Sequence, residues 1–259
     1  MRILKKFRMF VENNNDNIFQ YNNMIDYTLL DNNASDEDII ELCEKAQKFE
    51  TKSVCVMPKH VLLATKELKK SNVLVCTVIS FPEGTNTIEE KEAETHKAIS
   101  DGADEVDMVL NYQLLKEYWE NQDDLENIYE ILVEEVSSLV NICHNSTNKD
   151  GNEITLKVIV ESGLLSIDQT IMATNICLDA NADYIKTSTG MVSVGAELDK
   201  IKAMYKTINN ENLSMKIKAS GGVRTLNDIQ SYKPYVDRFG MGYGSVDKLN
   251  GLDSNSIGY

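Results

Sequence analysis

Leu156-Lys-Val-Ile-Val160, the amphipathic stretch 166–180 and Asp183-Tyr-Ile-Lys-Thr187 follow one another in the middle of the chain. The two short runs are too brief and too apolar for surface helices, and the segment between them has helical spacing. Together they predict a buried strand, a crossover helix and a second, parallel strand. The same alternation continues in both directions. Towards the N-terminus lie the runs Met24–Leu29, Ser53–Met57, Val73–Ile79 and Glu105–Leu110, and towards the C-terminus Met215–Ala219 and Arg238–Gly242. Helical spacing fills the gaps near 35–49, 59–70, 86–101, 113–143, 196–208 and 225–231. Ser35, with Asp38 three residues on, marks the first helix start. Eight strands alternating with helices predict an α/β fold, a (β/α)8 TIM barrel, whose usual size of ~250 residues matches this chain. An open doubly wound sheet would want a Gly-rich turn after its first strand, and Asp26-Tyr-Thr-Leu-Leu30 is nothing like one. The eighth helix, expected after Gly244, has the weakest pattern.

The barrel is expected over residues 23–250 as a single domain, since no linker rich in Pro, Gly or Ser divides it. Residues 1–22, basic at Arg2, Lys5, Lys6 and Arg8 and then Asn-rich, read as an N-terminal extension, poorly ordered or a short helix. They lack the apolar core and small-residue cleavage site of a signal peptide. Residues 251–259 read as a tail. The 259 residues carry 26 Lys+Arg against 41 Asp+Glu, a formal net charge of −15. Such a balance argues against nucleic acid as a partner, because phosphate-backbone affinity needs clustered cations. No apolar run approaches the roughly 18–20 residues of a spanning helix, so no membrane partner is expected. Five cysteines without a CxxC pair and three histidines give a disulfide framework or structural zinc little to build on. A reduced, cytoplasmic compartment follows as the expectation.

Ionisable residues interrupt the apolar strands: Asp26, Asp107, Lys157 with Glu161, Lys186, and Lys216 with Lys218. In a barrel, chemistry gathers at the C-terminal ends of the strands. Lys186 and Lys218 fall on consecutive strands, each followed by small polar residues, and adjacent parallel strands run about 4.8 Å apart. Two amines at one height would crowd each other, and like charge plus desolvation would push a proton off one of them. A neutral buried amine attacks carbonyls and forms Schiff bases. Asp107 and Asp26 would move protons. A buried strand lysine is also commonly half of a structural ion pair, and spacing alone leaves both readings open. Gly221-Gly222 after strand seven and Gly240-Met-Gly-Tyr-Gly-Ser245 after strand eight stand where many barrels hold a phosphate on backbone N–H groups.

Seven segments appear in order: Ile25-Asp-Tyr-Thr-Leu-Leu30, Ser53-Val-Cys-Val-Met-Pro58, Ile79-Ser-Phe-Pro-Glu-Gly-Thr-Asn-Thr87, Gly102-Ala-Asp-Glu-Val-Asp-Met-Val109, Leu156-Lys-Val-Ile-Val-Glu-Ser-Gly163, Ala182-Asp-Tyr-Ile-Lys-Thr-Ser-Thr-Gly190 and Lys218-Ala-Ser-Gly-Gly-Val-Arg-Thr225. Over about residues 23–245 the chain resembles the 2-deoxyribose-5-phosphate aldolases, class I enzymes on a (β/α)8 barrel. The resemblance implies reversible cleavage of 2-deoxy-D-ribose 5-phosphate to D-glyceraldehyde 3-phosphate and acetaldehyde, with no metal or other cofactor. It implies Lys186 as the Schiff-base lysine, Lys218 as its partner, and Asp107 as proton donor and acceptor. Asp26 and Lys157 are implied as support, Cys55 as a pocket wall, and Gly221, Gly222 and Thr189 as phosphate contacts. After strand eight the family usually has serines, where this chain reads Arg238-Phe-Gly-Met-Gly-Tyr-Gly-Ser245. Ser245 could stand in for them only if the loop were two residues longer, so a weaker phosphate grip is expected. Met191 and Lys216 also depart from the pattern. The resemblance further implies self-association into a homo-oligomer; the last residue, Tyr259, reads as a disordered end, the alternative being a tail tyrosine that closes over the site as in some family members. Two alternatives stay open: a catalytically impaired homologue that serves as a binding scaffold, and a class I aldolase for another sugar phosphate.

Overall fold

In a computed structural model, residues 18–117, 119, 122–211 and 214–252 are described. Eight parallel strands close on themselves in chain order: β1 (Ile25–Leu29), β2 (Ser53–Val56), β3 (Leu74–Ile79), β4 (Glu105–Val109), β5 (Thr155–Ile159), β6 (Tyr184–Lys186), β7 (Lys216–Ser220) and β8 (Arg238–Gly242), which pairs with β1. Around them run α1 (Asp36–Phe49), α2 (Val61–Glu67), α3 (Ile88–Ser100), α4 (Tyr112–Glu117), α5 (Gln122–His144), α6 (Ile167–Asp179), α7 (Leu198–Asn210), α8 (Leu226–Tyr232) and α9 (Tyr243–Leu249). This is the expected TIM barrel, a single domain. Among the described residues no helix is long and apolar enough to cross a membrane.

Local signals set the helix starts. Ser35 and Asp38 form the expected reciprocal cap, Asp38 N–H donating to Ser35 Oγ and Ser35 N–H to Asp38 Oδ2. The pairs Thr87/Glu90, Ser166/Gln169 and Thr225/Asp228 repeat the device at α3, α6 and α8. Each satisfies two backbone donors that helix geometry leaves orphaned. The stretch 113–143 is two helices rather than one, and α9 begins at Tyr243, directly after β8, rather than beyond Gly244.

Strand alternation divides the core. One set of side chains, with Tyr27, Val54, Val106, Val158, Ile185 and Phe239 among them, is buried in the main apolar cluster with residues of the helices, such as Leu42, Leu132 and Ile201. The other set faces the barrel axis, where Leu30, Cys55, Cys76 and Val78 make a separate small apolar cluster. The boundary at residue 23 lies too late. Ile18 is buried in the core, and Asn22 Nδ2 donates to Phe49 O at 2.8 Å and to Asn250 Oδ1 at 3.1 Å. Residues 18–22 are a helical turn that belongs to the barrel. The remainder of the expected extension, and Tyr259, lie outside the described residues.

Candidate active site

Period-two alternation turns Asp26, Asp107, Lys157 and Lys218 towards the barrel axis, and register brings them level. Asp107 pairs with Lys157 across β4 and β5, Lys186 with Lys218 across β6 and β7, and Lys218 with Arg238 across β7 and β8. Asp107 is the hub. Its Oδ2 accepts from Lys186 Nζ at 2.8 Å and from Lys218 Nζ at 2.7 Å, and its Oδ1 from Lys157 Nζ at 2.8 Å. Asp26 Oδ2 lies 2.5 Å from Lys218 Nζ, and its Oδ1 accepts from Arg238 Nη1 at 2.6 Å and Ser53 Oγ at 2.7 Å. Glu105 completes the network, 2.7 Å from Lys157 and 3.0 Å from Arg238. The sequence-predicted residues Lys186, Lys218, Asp107, Asp26 and Lys157 are therefore in one cluster.

Two expectations about this cluster change. Asp26, Asp107, Lys157 and Lys218 sit within their strands, not at the strand tips; only Lys186 ends its strand. The lysine pair is also not a bare like-charge pair, because Asp107 bridges the two amines. Burial pulls Lys218 down, but Asp107 and Asp26 outweigh it and hold the ammonium above its ordinary range. Lys157 is raised the same way, burial being outweighed by Asp107 and its other anionic neighbours. Burial would raise Asp107, yet Lys157, Lys186 and Lys218 drive it well below the carboxylate range. For Asp26, burial is outweighed by Arg238, Lys218 and Lys157. Lys216 stays out of the cluster: it is exposed, over the ring of Tyr184 at 5.5 Å.

Lys186 alone of these residues reaches a cavity at the barrel mouth, lined also by Thr189, Gly190, Gly221, Gly222, Arg224, Gly240 and Gly242. Gly221 and Gly222 have φ of 78° and 77°, which side-chain-bearing residues rarely adopt, so the turn after β7 needs both glycines. Gly195 packs on it so closely that a Cβ there would lie 2.1 Å from Gly221 O. Ser245 is not brought to the cavity. The chain enters α9 immediately after β8, so the longer loop it would have required does not exist, and Gly240 and Gly242 line that wall without side chains.

Cys55 is in register with Cys76 on the axis-facing side and is fully buried. Its hydrogen bond with Cys76 lowers its thiol, while burial and the bond with Cys55 raise that of Cys76. Cys76 Sγ donates to Asp107 Oδ1 at 3.2 Å. Cys55, Cys76 and Asp107 present donor atoms within 4.8 Å of one another, as do Asp26, Cys76 and Glu105. Both Asp107 oxygens already accept from ammonium groups, and the surrounding lysines would repel a metal cation, so the donor set suits amines.

A strand-borne lysine facing a cavity, with its amine bridged through a buried carboxylate to a second lysine, is an arrangement able to support amine chemistry on a carbonyl. The model of the DeoC/LacD family aldolases matches residues 11–233. The chain belongs to this aldolase family. It is 40% identical over 221 residues to the deoxyribose-phosphate aldolase of Mycoplasmoides pirum, covering 85% of this chain and 92% of that one. Its identity to the deoxyribose-phosphate aldolase of Treponema denticola is 40% over 233 residues, covering 90% and 97%. The tetrameric deoxyribose phosphate aldolase from Aeropyrum pernix superposes with a TM-score of 0.73 at 26% identity, over 89% of this chain and 90% of that one.

In this aldolase the cluster also includes two charged residues to which sequence reasoning gave no part. Glu105 and Arg238 open their strands, and Arg238 binds Asp26 across the barrel closure and Glu105 across the barrel interior. The available signal was a charge at the first position of two otherwise buried strands, where desolvation without a partner is costly.

Proposed function

We propose that this aldolase reversibly cleaves 2-deoxy-D-ribose 5-phosphate to D-glyceraldehyde 3-phosphate and acetaldehyde through a Schiff base on Lys186. The observation that carries the reading is the convergence of Lys186 and Lys218 on one oxygen of Asp107 beneath the cavity. Among the described residues the cluster pairs three carboxylates with four cationic side chains, one positive charge in excess. Loss of the Lys186 proton leaves it neutral, so the nucleophilic state carries no uncompensated buried charge. Lys218, held between Asp26 and Asp107, keeps its charge and shares the Asp107 oxygen that Lys186 contacts.

Lys186 Nζ adds to the C1 carbonyl, and loss of water gives the iminium. Removal of the C3 hydroxyl proton breaks the C2–C3 bond. Its electron pair passes into the iminium, leaving an enamine and releasing D-glyceraldehyde 3-phosphate. Protonation at C2 and hydrolysis then release acetaldehyde and restore the amine. Asp107, in contact with the amine, is the group placed to exchange these protons, directly or through water. Asp26 and Lys157 hold it in place. The N–H groups of Gly221 and Gly222, with Thr189 and Arg224 nearby, form the phosphate end. Cys55 is part of the buried wall. Self-association and a reduced, cytoplasmic setting belong to the same reading; the five cysteines are free and buried, as that setting suits.

The test is borohydride reduction with acetaldehyde or deoxyribose 5-phosphate. The chain should gain the mass of the reduced adduct on Lys186, and Lys186→Met should gain none. Absence of the adduct from the unaltered protein would favour the scaffold reading. Comparing turnover of phosphorylated and free deoxyribose tests the substrate assignment.

A further inference from the structure

Glu161 lies two residues beyond β5, is 1% exposed and has φ 48°, ψ 50°. A non-glycine residue in that left-handed region is strained, and such strain persists where the surroundings over-determine it. Its Oε2 accepts from Thr189 Oγ1 at 2.5 Å and from Thr189 N–H at 3.2 Å. Its Oε1 is buried with no hydrogen-bond partner, one of seven such side-chain atoms among the described residues, Ser162 Oγ and Ser188 Oγ being two of the others. Unsatisfied buried atoms are few in folded proteins, and three of these seven fall on the neighbouring segments 161–162 and 188. The fold thus keeps a strained backbone and an unpaired carboxylate oxygen at a place adjoining the reactive amine.

The surrounding backbone allows Glu161 little freedom. Val160 N–H donates to Lys186 O at 3.1 Å and Ser162 N–H to Thr187 O at 2.7 Å, which laces the end of β5 to the end of β6. Gly163 is pressed against the next loop, where an added Cβ would lie 2.4 Å from Val194 O. Thr189 and Gly190 line the cavity with Lys186. We propose that Glu161 is a positioning residue of this site: its carboxylate holds Thr189, and through it segment 187–190, where that segment forms the cavity wall beside Lys186. The inference rests on the aldolase reading. It assigns Glu161 a part in binding the extended phosphorylated substrate, not in forming the imine.

Three variants test it: Glu161→Ala, Glu161→Gln and Thr189→Val, with the Glu161→Ala/Thr189→Val double variant. KM for deoxyribose 5-phosphate should rise about tenfold in Glu161→Ala, the loss expected for one charge-assisted contact, with kcat within about twofold. Borohydride trapping with acetaldehyde, which occupies only the amine end, should stay within about twofold of the unaltered protein. Glu161→Gln keeps an acceptor oxygen for Thr189 and should lie between. The double variant should lose less than the sum of the two single effects, since the Glu161–Thr189 contact can be removed only once. A fall in melting temperature with KM unchanged would overturn the proposal in favour of a purely structural role. Loss of acetaldehyde trapping in Glu161→Ala would overturn it as well, by placing the residue in imine formation. Failure of the unaltered protein to form the imine would overturn the aldolase reading beneath it, a result distinguishable from the other two.

Discussion

Replacing Lys218 with Met removes the cation shared by the two buried carboxylates while keeping a side chain of similar length. The lost contacts are 2.5 Å to Asp26 Oδ2 and 2.7 Å to Asp107 Oδ2, between groups with no solvent exposure. Breaking a buried pair by removing one partner costs roughly 3–5 kcal/mol. Asp107 retains Lys157 and Lys186, and Asp26 retains Arg238, so the lower end, about 3 kcal/mol, is expected at pH 7. The pH dependence has a definite sign. Asp26 and Asp107 are held below their ordinary values, so they contribute stability above about pH 4 that is lost as pH falls through the depressed folded values. Lys218 is held above its own, so its contribution is present below about pH 10 and lost as pH rises through the folded value. The deficit of the variant should therefore be a plateau between about pH 5 and 10, shrinking at both ends. Urea unfolding of both proteins across that range measures it. The same substitution should slow borohydride trapping by about 10²–10⁴-fold, because the ammonium that shares the Asp107 oxygen would no longer assist proton transfer beside Lys186. Equal stability at pH 7, or a deficit that grows on acidification, would refute the shared-cation argument.

Three further outcomes follow from the same geometry. Gly195→Ala would set a methyl group against Gly221 O; it should displace the turn after β7 and raise KM for the phosphorylated substrate more than it lowers acetaldehyde trapping, as steady-state kinetics beside trapping would show. Tyr27→Phe removes the hydrogen bond from Tyr27 OH to Asp247 Oδ1 between β1 and α9. It should cost about 1.5–3 kcal/mol in denaturant unfolding and leave kcat unchanged, because the pair faces the helices. The side-chain-free wall at Gly240 and Gly242 should leave turnover less dependent on the substrate phosphate than in family members with serines there. The ratio of kcat/KM for deoxyribose 5-phosphate to that for deoxyribose measures this, and a ratio equal to theirs would contradict it.

The architecture was legible because each of its signals is local. A run such as Val73–Ile79 is apolar on successive residues because both faces of a barrel strand are buried. Ser35 with Asp38 caps a helix through atoms three residues apart. Lys186, Lys218 and Asp107 were legible as candidates because charges in apolar runs are costly unless they serve a purpose.

What they do to one another was decided by closure of the barrel. Asp26 and Arg238 meet across 212 residues because β8 pairs with β1, and no spacing rule connects them. The bridging place of Asp107 between two amines depends on register and on side-chain length across three strands, so the sequence suggested a crowded pair where the fold has a compensated one. Ser245 looked usable until α9 was found to start at Tyr243. Residue type and period are properties of neighbours along the chain and can be read from it. Electrostatic state and loop reach are properties of neighbours in space, and only the folded barrel supplies them.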